Sequence, residues 1–199
     1  MKAASRAWRN SDPPSLRSSR RSAGASISQH QDNPSPPNPG GFWHPEEYQN
    51  QFHEAYWIAL KSRPFVWEKT VWNMFDFAAD GRNEGDTPGR NDKGLVTYDR
   101  QTRKDAFYFY KANWSSSPVL YITSRRFTDR RANTIPVKIY ANMDSVRLQV
   151  NGTSYAPSAG ADHIFQWTNV ALGTGANTIT ATGTSGTTTA TDDVTWTRM

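Results

Sequence analysis

The stretch IPVKIYANMDSVRLQVNGTSY, residues 135–155, alternates apolar and polar side chains and then reaches Asn151-Gly152. Alternation with a period of two is typical of a strand with one buried face, and Asn-Gly between two such runs predicts a tight hairpin. Strands and turns at this spacing favour a β-sandwich of the immunoglobulin type. The other predicted strands are residues 119–124, 163–168, 177–182 and 187–196.

The residues upstream of this predicted sandwich have a different pattern. In PEEYQNQFHEAYWIALKSR, residues 45–63, apolar side chains recur every three or four positions, and acidic residues come first and basic residues last. This predicts a helix that begins at Pro45 and ends before Pro64. Residues 65–77 are rich in aromatic and β-branched side chains and predict a buried strand, while residues 104–114 predict a second helix.

The net charge of +5 is concentrated at the N-terminus. Residues 1–22 contain six basic side chains and one acidic side chain, whereas the rest of the chain contains 17 of each. We expect this Ser-, Arg- and Pro-rich segment to be disordered, because it has too few apolar groups to repay the entropy of ordering. The neutral remainder gives no reason to expect a nucleic-acid partner.

Composition also limits the chemistry. The chain has no cysteine, which excludes disulfides and thiolate metal sites. The four histidines, His30, His44, His53 and His163, show no metal-ligand spacing, so we expect loop or surface positions for them and no metal site. No apolar run approaches the roughly 20 residues that span a bilayer, so we expect no membrane segment, signal peptide or membrane partner.

Residues 70–114 carry three motifs in order: VWNMFDF at 71–77, NDKGLV at 91–96 and KDAFY at 104–108. This combination resembles the end of the catalytic barrel in glycoside hydrolase family 2, especially its β-galactosidases. Residues 23–54 are similar to the segment that follows the seventh barrel strand, and residues 135–155 are similar to the C-terminal sandwich. The resemblance covers residues 23 to about 197.

The resemblance implies an α+β fragment with several parts. These are the basic tail at residues 1–22, which is unlike the family, the end of a (β/α)₈ TIM barrel at residues 23–114, and an immunoglobulin-like sandwich at residues 115–199. Because a complete barrel needs about 250 residues, residues 23–114 carry only its last strands and helices.

The resemblance also locates the expected catalytic nucleophile. In this family a glutamate stands in a Ser-Glu-Tyr-Gly-Ala-Gly-Ala-Ser setting, and here residues 19–26 read Ser-Arg-Arg-Ser-Ala-Gly-Ala-Ser, so Arg20 occupies the glutamate position. Retaining glycosidases need two carboxyl groups about 5 to 5.5 Å apart. We therefore expect no catalytic residue in this chain and no activity from it alone, and we hypothesise a frameshift or misplaced start before Ala23.

Trp72 is the main candidate for substrate binding, because residues at the C-terminal end of a barrel strand line the cleft and an indole face packs on sugar C–H groups. Asn73 and Asp76 are secondary candidates for polar contacts. The other acids of the following loop are expected to be solvated or paired with Arg82 and Arg90 rather than catalytic. They are Asp80, Glu84, Asp86 and Asp92.

By resemblance the parent enzyme hydrolyses terminal β-galactosides or related β-glycosides with retention and needs no cofactor. Its oligomeric state stays open, and a periplasmic or secreted location is compatible with the chain. The rival hypothesis is a non-catalytic sandwich that binds carbohydrate or only scaffolds. Tyr140, Tyr155 and Trp167 are its candidate sugar-binding face, although aromatic residues at alternating strand positions are more often core.

Overall fold

The computed structural model describes residues 24–156, 158 and 160–199. The predicted disordered tail at residues 1–22 lies outside the described residues, and so does Arg20. The described part is mainly β-structure with few helices. The first helix is α1, Glu46–Lys61, and the second is α2, Asp105–Trp114.

Helix α1 confirms its prediction. It follows directly after Pro45, whose φ of −64° suits the start of a helix. Glu46 and Glu47 lie in the first turn and Lys61 in the last turn, where their charges complement the helix dipole. The predicted second helix is also confirmed, since α2 begins just after Lys104.

The prediction of a buried strand at residues 65–77 is wrong. Only a two-residue strand forms there, β1 at Phe77–Ala78, which pairs antiparallel with β2 at Arg90–Asn91. Trp67 is 89% exposed and Phe65 is also exposed. The physical reason is that residues 65–70 form no strand ladder with the rest of the described chain, so their aromatic side chains have no surface to bury against.

The remaining strands form two sheets. One has three strands in the order β3-β5-β8, and the other has five in the order β4-β10-β9-β6-β7. Neighbouring strands are antiparallel except β4 and β10, which are parallel. The bounds are β3 Leu120–Ile122, β4 Asp129–Arg130, β5 Thr134–Ala141, β6 Ser145–Val150, β7 Thr153–Tyr155, β8 Ile164–Ala171, β9 Gly175–Ser185 and β10 Thr188–Arg198.

The predicted hairpin at Asn151-Gly152 is confirmed. Both residues have positive φ, 51° and 82°, and they connect β6 to β7 with Val150 opposite Thr153. Two consecutive positive φ values characterise the tight hairpin turn that Asn-Gly favours. The turn therefore fixes the register of this edge of the five-stranded sheet.

The two sheets enclose one apolar core, to which both contribute alternate side chains. Trp167 is buried in this core and Tyr155 is half-buried against it, while Tyr140 is buried in a second apolar cluster. Burial of each large aliphatic side chain contributes about 1.5 to 3 kcal/mol. The core includes Ile122, Ile139, Leu148, Ile179 and Trp196.

A second apolar cluster joins α2 to the three-stranded sheet. The ring of Phe109 lies 5.3 Å from that of Tyr140, and Tyr108 stacks on Tyr121 at 3.6 Å between centroids. Helix α2 thus covers the outer side of the sheet, opposite the core.

Candidate functional site

The segment that carries the predicted site residues is held by a neighbouring segment through its backbone. Leu95 N donates to Asn73 O at 3.0 Å, and Asp76 N donates to Val96 O at 2.9 Å. Phe75 and Val96 form an isolated parallel bridge. Residues 73–76 therefore run beside residues 93–96 as two short extended pieces, and Trp72 lies just before them.

Trp72 is 67% exposed and lines a cavity of about 310 Å³. Its ring makes an edge contact with Phe77, with the centroids 6.0 Å apart. The cavity walls are mostly aromatic, and two lysines and His53 supply polar groups. The other lining residues are Phe52, Tyr56, Trp57, Leu60, Lys69, Thr70, Val71, Lys93, Tyr110 and Trp114.

The structure does not bring Asp76 to Trp72. The Asp76 carboxylate is buried and lies 2.9 Å from the ammonium of Lys104, and its Oδ1 also accepts a hydrogen bond from Gly94 N at 2.8 Å. Asp76 lines a separate cavity of about 140 Å³. The amide nitrogen of Asn73 donates to Phe75 O at 2.5 Å, within its own segment.

Lys104 is a fully buried cation whose three ammonium protons all find acceptors. Besides Asp76, its Nζ donates to Ala25 O and to Asp92 O, each at 2.8 Å. Burial raises the pKa of Asp76, although the charge and hydrogen bond of Lys104 oppose this. Lys104 therefore ties together three segments that are far apart in sequence, a role that sequence patterns could not reveal.

The acidic loop after β1 is more ordered than the sequence suggests. Glu84 pairs with Arg82, as expected for loop acids, and its Oε2 also lies 2.7 Å from Lys93 Nζ. Glu84 and Asp92 are both buried, and the expectation is wrong for Asp92, which pairs with His44 rather than with Arg82 or Arg90. They are buried because nearby cations offset their desolvation.

The expectation of loop or surface histidines is wrong for His53, which is buried within α1, whereas His44 does lie in a loop but is also buried. His44 Nδ1 lies 2.5 Å from Asp92 Oδ2. Burial lowers the pKa of His44, but the hydrogen bond and charge of Asp92 outweigh burial and the pKa is raised. Burial lowers the pKa of His53 to about 3, so that its imidazole is neutral.

A second buried charge cluster lies where α1 and α2 meet the sheet. Arg126 binds both Glu46 and Asp105, with Nε 2.8 Å from Glu46 Oε2 and one terminal nitrogen 2.7 Å from Asp105 Oδ1. Tyr121 donates to Asp105 Oδ1 at 2.7 Å. We call Glu46, Asp105, Tyr121 and Arg126 the junction network. In the sequence, only the acidic residues in the first turn of each helix indicated it.

The proteins that are similar to this chain are glycoside hydrolases. A β-glucuronidase from Bacteroides fragilis is 46% identical over 175 residues, which are 87% of this chain and 25% of that protein. Residues 132–190 match the family model called domain of unknown function DUF4982.

Two solved structures agree with this relationship. A candidate β-galactosidase from Bacteroides fragilis matches with a TM-score of 0.83 and 34% identity, over 88% of this chain and 26% of that one. An FMN-binding β-glucuronidase from Facaelibacterium prausnitzii matches with a TM-score of 0.76 and 39% identity, over 88% and 26%. The chain is homologous to glycoside hydrolases of the family 2 type and spans about a quarter of their length.

Among the described residues, no helix has the length and apolar character that crossing a membrane requires.

Proposed function

We propose that this chain is part of a retaining β-glycosidase and forms one wall of its sugar cleft, with Trp72 as the contact to the sugar ring. The observation that carries this proposal is the exposed indole of Trp72 over an aromatic cavity. Indole faces pack on the C–H groups of sugars, so an exposed tryptophan at a cavity is suited to such a contact. The glycosidase names of the relatives support the same function.

The fold proposal follows from the same region. Residues 24–114 would be the last strands and helices of a (β/α)₈ barrel, and residues 115–199 an immunoglobulin-like sandwich. The parallel contact between Phe75 and Val96 is the pairing a barrel uses. The exposed apolar side chains of Phe65, Trp67 and Met74 are ones that further barrel strands would cover.

The catalytic carboxylates would come from elsewhere in the parent enzyme. Asp76 is bound by Lys104 and Asp92 by His44, so neither is free to attack an anomeric carbon or protonate a leaving group. With Arg20 at the nucleophile position, the chain alone is expected to be inactive. No cofactor is required by this chemistry.

The proposed substrate is a terminal β-galactoside or a related β-glycoside. A specific observation favours an acidic sugar as the second candidate, because Lys69 and Lys93 line the same cavity as Trp72. A uronic acid differs from a neutral hexose by a carboxylate, with which a lysine can pair.

A chimeric enzyme tests the proposal. Residues 24–199 replace the matching segment of the Bacteroides fragilis β-glucuronidase, and the product is assayed with aryl β-galactoside and aryl β-glucuronide. We expect turnover, and we expect Trp72→Ala to lower kcat/KM by about two- to tenfold, since a stacking contact is worth about 0.5 to 1.5 kcal/mol.

Trp67→Ala is the matched control, because Trp67 is a tryptophan of the same segment that does not line the cavity. It should leave kcat/KM unchanged. If Trp72→Ala lowers the melting temperature while activity per folded molecule stays constant, Trp72 belongs to the core and the proposed contact is wrong.

The rival function, a sugar-binding sandwich, has one supporting feature. Half-buried Tyr155 lies with Arg147, Gln149 and Thr182 beside a surface depression of about 570 Å³. Binding of the chain to a glycan array, abolished by Tyr155→Ala and unaffected by Trp72→Ala, would favour this function over the cleft wall.

A further inference from the structure

Three buried side chains from separate segments converge near α1. His44 lies just before Pro45, Glu84 lies in the loop between β1 and β2, and Asp92 directly follows β2. Each offers a ligand atom, and these atoms all lie within 4.8 Å of one another. We call them the His44 cluster.

The cluster contains a buried carboxylate oxygen without a hydrogen bond. Asp92 is 1% exposed, and its Oδ1 has no hydrogen-bond partner although it is buried. Burial of an unpaired polar atom costs about 1 to 3 kcal/mol, and more for a charged group. A cation bound to this oxygen would satisfy it, and the other two side chains of the cluster are close enough to bind the same cation.

The hydrogen bond of the other imidazole nitrogen suits metal binding by His44. Its Nε2 lies 3.0 Å from the backbone oxygen of Asn38, which can only accept. That contact fixes the proton on Nε2 and turns Nδ1 towards the carboxylates. Histidines that bind metals commonly donate their second N–H to a carbonyl or carboxylate in this way.

Two glycines keep the space around the carboxylate free of side-chain carbon. A Cβ at Gly24 would lie 2.6 Å from Asp92 Oδ1, and one at Gly85 would lie 2.9 Å from Asp92 Oδ2. Gly85 also has a φ of +57°, which favours glycine for its backbone. Any larger residue at either position would close the cluster.

A cation already stands between the two acids. Lys93 Nζ lies 2.7 Å from Glu84 Oε2 and 3.8 Å from Asp92 Oδ1, so it binds the first carboxylate fully and the second only loosely. The Lys93 side chain is partly exposed and can leave towards solvent. Its ammonium thus marks a position where a positive charge is favourable.

We propose that His44, Glu84 and Asp92 form a binding site for a divalent transition metal ion of the zinc type, which displaces the Lys93 ammonium. One imidazole and two carboxylates are ligands that Zn²⁺ accepts, with water in the fourth position. Ca²⁺ prefers six to eight oxygen ligands and is disfavoured by the imidazole. On binding, Nδ1 becomes a ligand, and any proton it shares with Asp92 passes to solvent.

Sequence inspection predicted no metal site because the three ligands lie in separate segments. His44 and Asp92 are 48 positions apart, and neither motif spacing nor charge pattern connects them. The proposed site shares Lys93 with the wall of the Trp72 cavity, but none of its three ligands lines that cavity and its test needs no sugar.

Calorimetric titration of the 199-residue chain with zinc chloride, after dialysis against a chelator, tests the site. We expect one saturable zinc site, a rise in melting temperature, and no heat with calcium chloride. Glu84→Gln should weaken zinc binding at least tenfold, and because the His44–Asp92 pair remains, its circular dichroism spectrum should be unchanged. Glu68→Gln and His163→Gln are the matched controls and should bind zinc like the original chain.

Lys93→Met should raise zinc affinity, whereas Glu84→Gln should lower it, and this opposite direction makes it the sharpest test. Removal of the competing ammonium should raise zinc affinity at least tenfold, whereas a purely structural ion-pair cluster would lose stability and gain no affinity. The proposal is overturned if neither the original chain nor Lys93→Met binds zinc, or if Glu84→Gln and His44→Gln bind it unchanged.

Discussion

The sandwich and the region before it are stabilised by different physical interactions. In the sandwich, alternate side chains of two sheets meet in one apolar core. Between residues 24 and 114, and where they meet the sheet, the buried groups include Lys104, Asp92, His44 and the junction network. Apolar burial is additive and insensitive to pH, whereas buried charges depend on each partner being present and correctly ionised. The comparison predicts which variants and conditions affect each region.

The largest expected effect is on the junction network. Arg126→Met leaves the buried carboxylates of Glu46 and Asp105 beside each other without a cation, and should lower the free energy of unfolding by about 3 to 5 kcal/mol. Lys61→Met is the matched control, because its pair with Asp162 lies outside the network, is more exposed and contributes about 0 to 1 kcal/mol. Urea denaturation measures both; equal losses would contradict the distinction.

A large but pH-independent effect is expected in the apolar core. Leu148→Ala removes a fully buried side chain between the sheets and should cost about 2 to 5 kcal/mol. The neighbouring Gln149→Ala changes the solvent-facing side of the same strand and should cost less than about 0.5 kcal/mol. If the cost of Leu148→Ala varied strongly between pH 5 and pH 8, the two regions would not be separable in this way.

Part of the pH dependence of stability should come from the junction network. Burial, together with the charge of Asp105, raises the pKa of Glu46 to about 7 despite the opposing charge of Arg126. The folded chain then holds a proton that the unfolded chain has released, so this contribution is present below the unfolded pKa and is lost as pH rises towards 7. The slope is at most about 1.4 kcal/mol per pH unit. Glu46→Gln should flatten the profile of unfolding free energy against pH, and an unchanged profile would refute this origin.

The smallest expected effect is at the hairpin. Gly152 has a φ of 82° and open space around its Cβ position, so Gly152→Ala introduces only backbone strain. The expected cost is about 1 kcal/mol. Gly40→Ala also meets open space but lacks a positive φ, and it should be close to neutral in thermal denaturation. Similar costs for both would show that the turn conformation is not what Gly152 supplies.

Local chemistry was enough to predict several elements. Pro45 with two following glutamates located the start of α1, and Asn151-Gly152 located the hairpin, because both signals act within a few residues. The alternation in β6 identified its buried face before any partner strand was known. Trp72 was singled out as a strand-end tryptophan, and its role in sugar binding stays a prediction.

The other features of the fold and the site depend on which distant segments meet, so only the tertiary structure decided them. Residues 65–77 have the composition of a buried strand, yet they lie largely exposed because no neighbouring strand pairs with residues 65–70 in the described part. Asp76 has a candidate role at a strand end, but it meets Lys104 instead of sharing a cavity with Trp72. His44 and Asp92 read as separate loop residues, whereas the fold buries them in contact. Sequence patterns describe periodicity and local turns; the desolvation and pairing of a charge are set only when the chain closes around it.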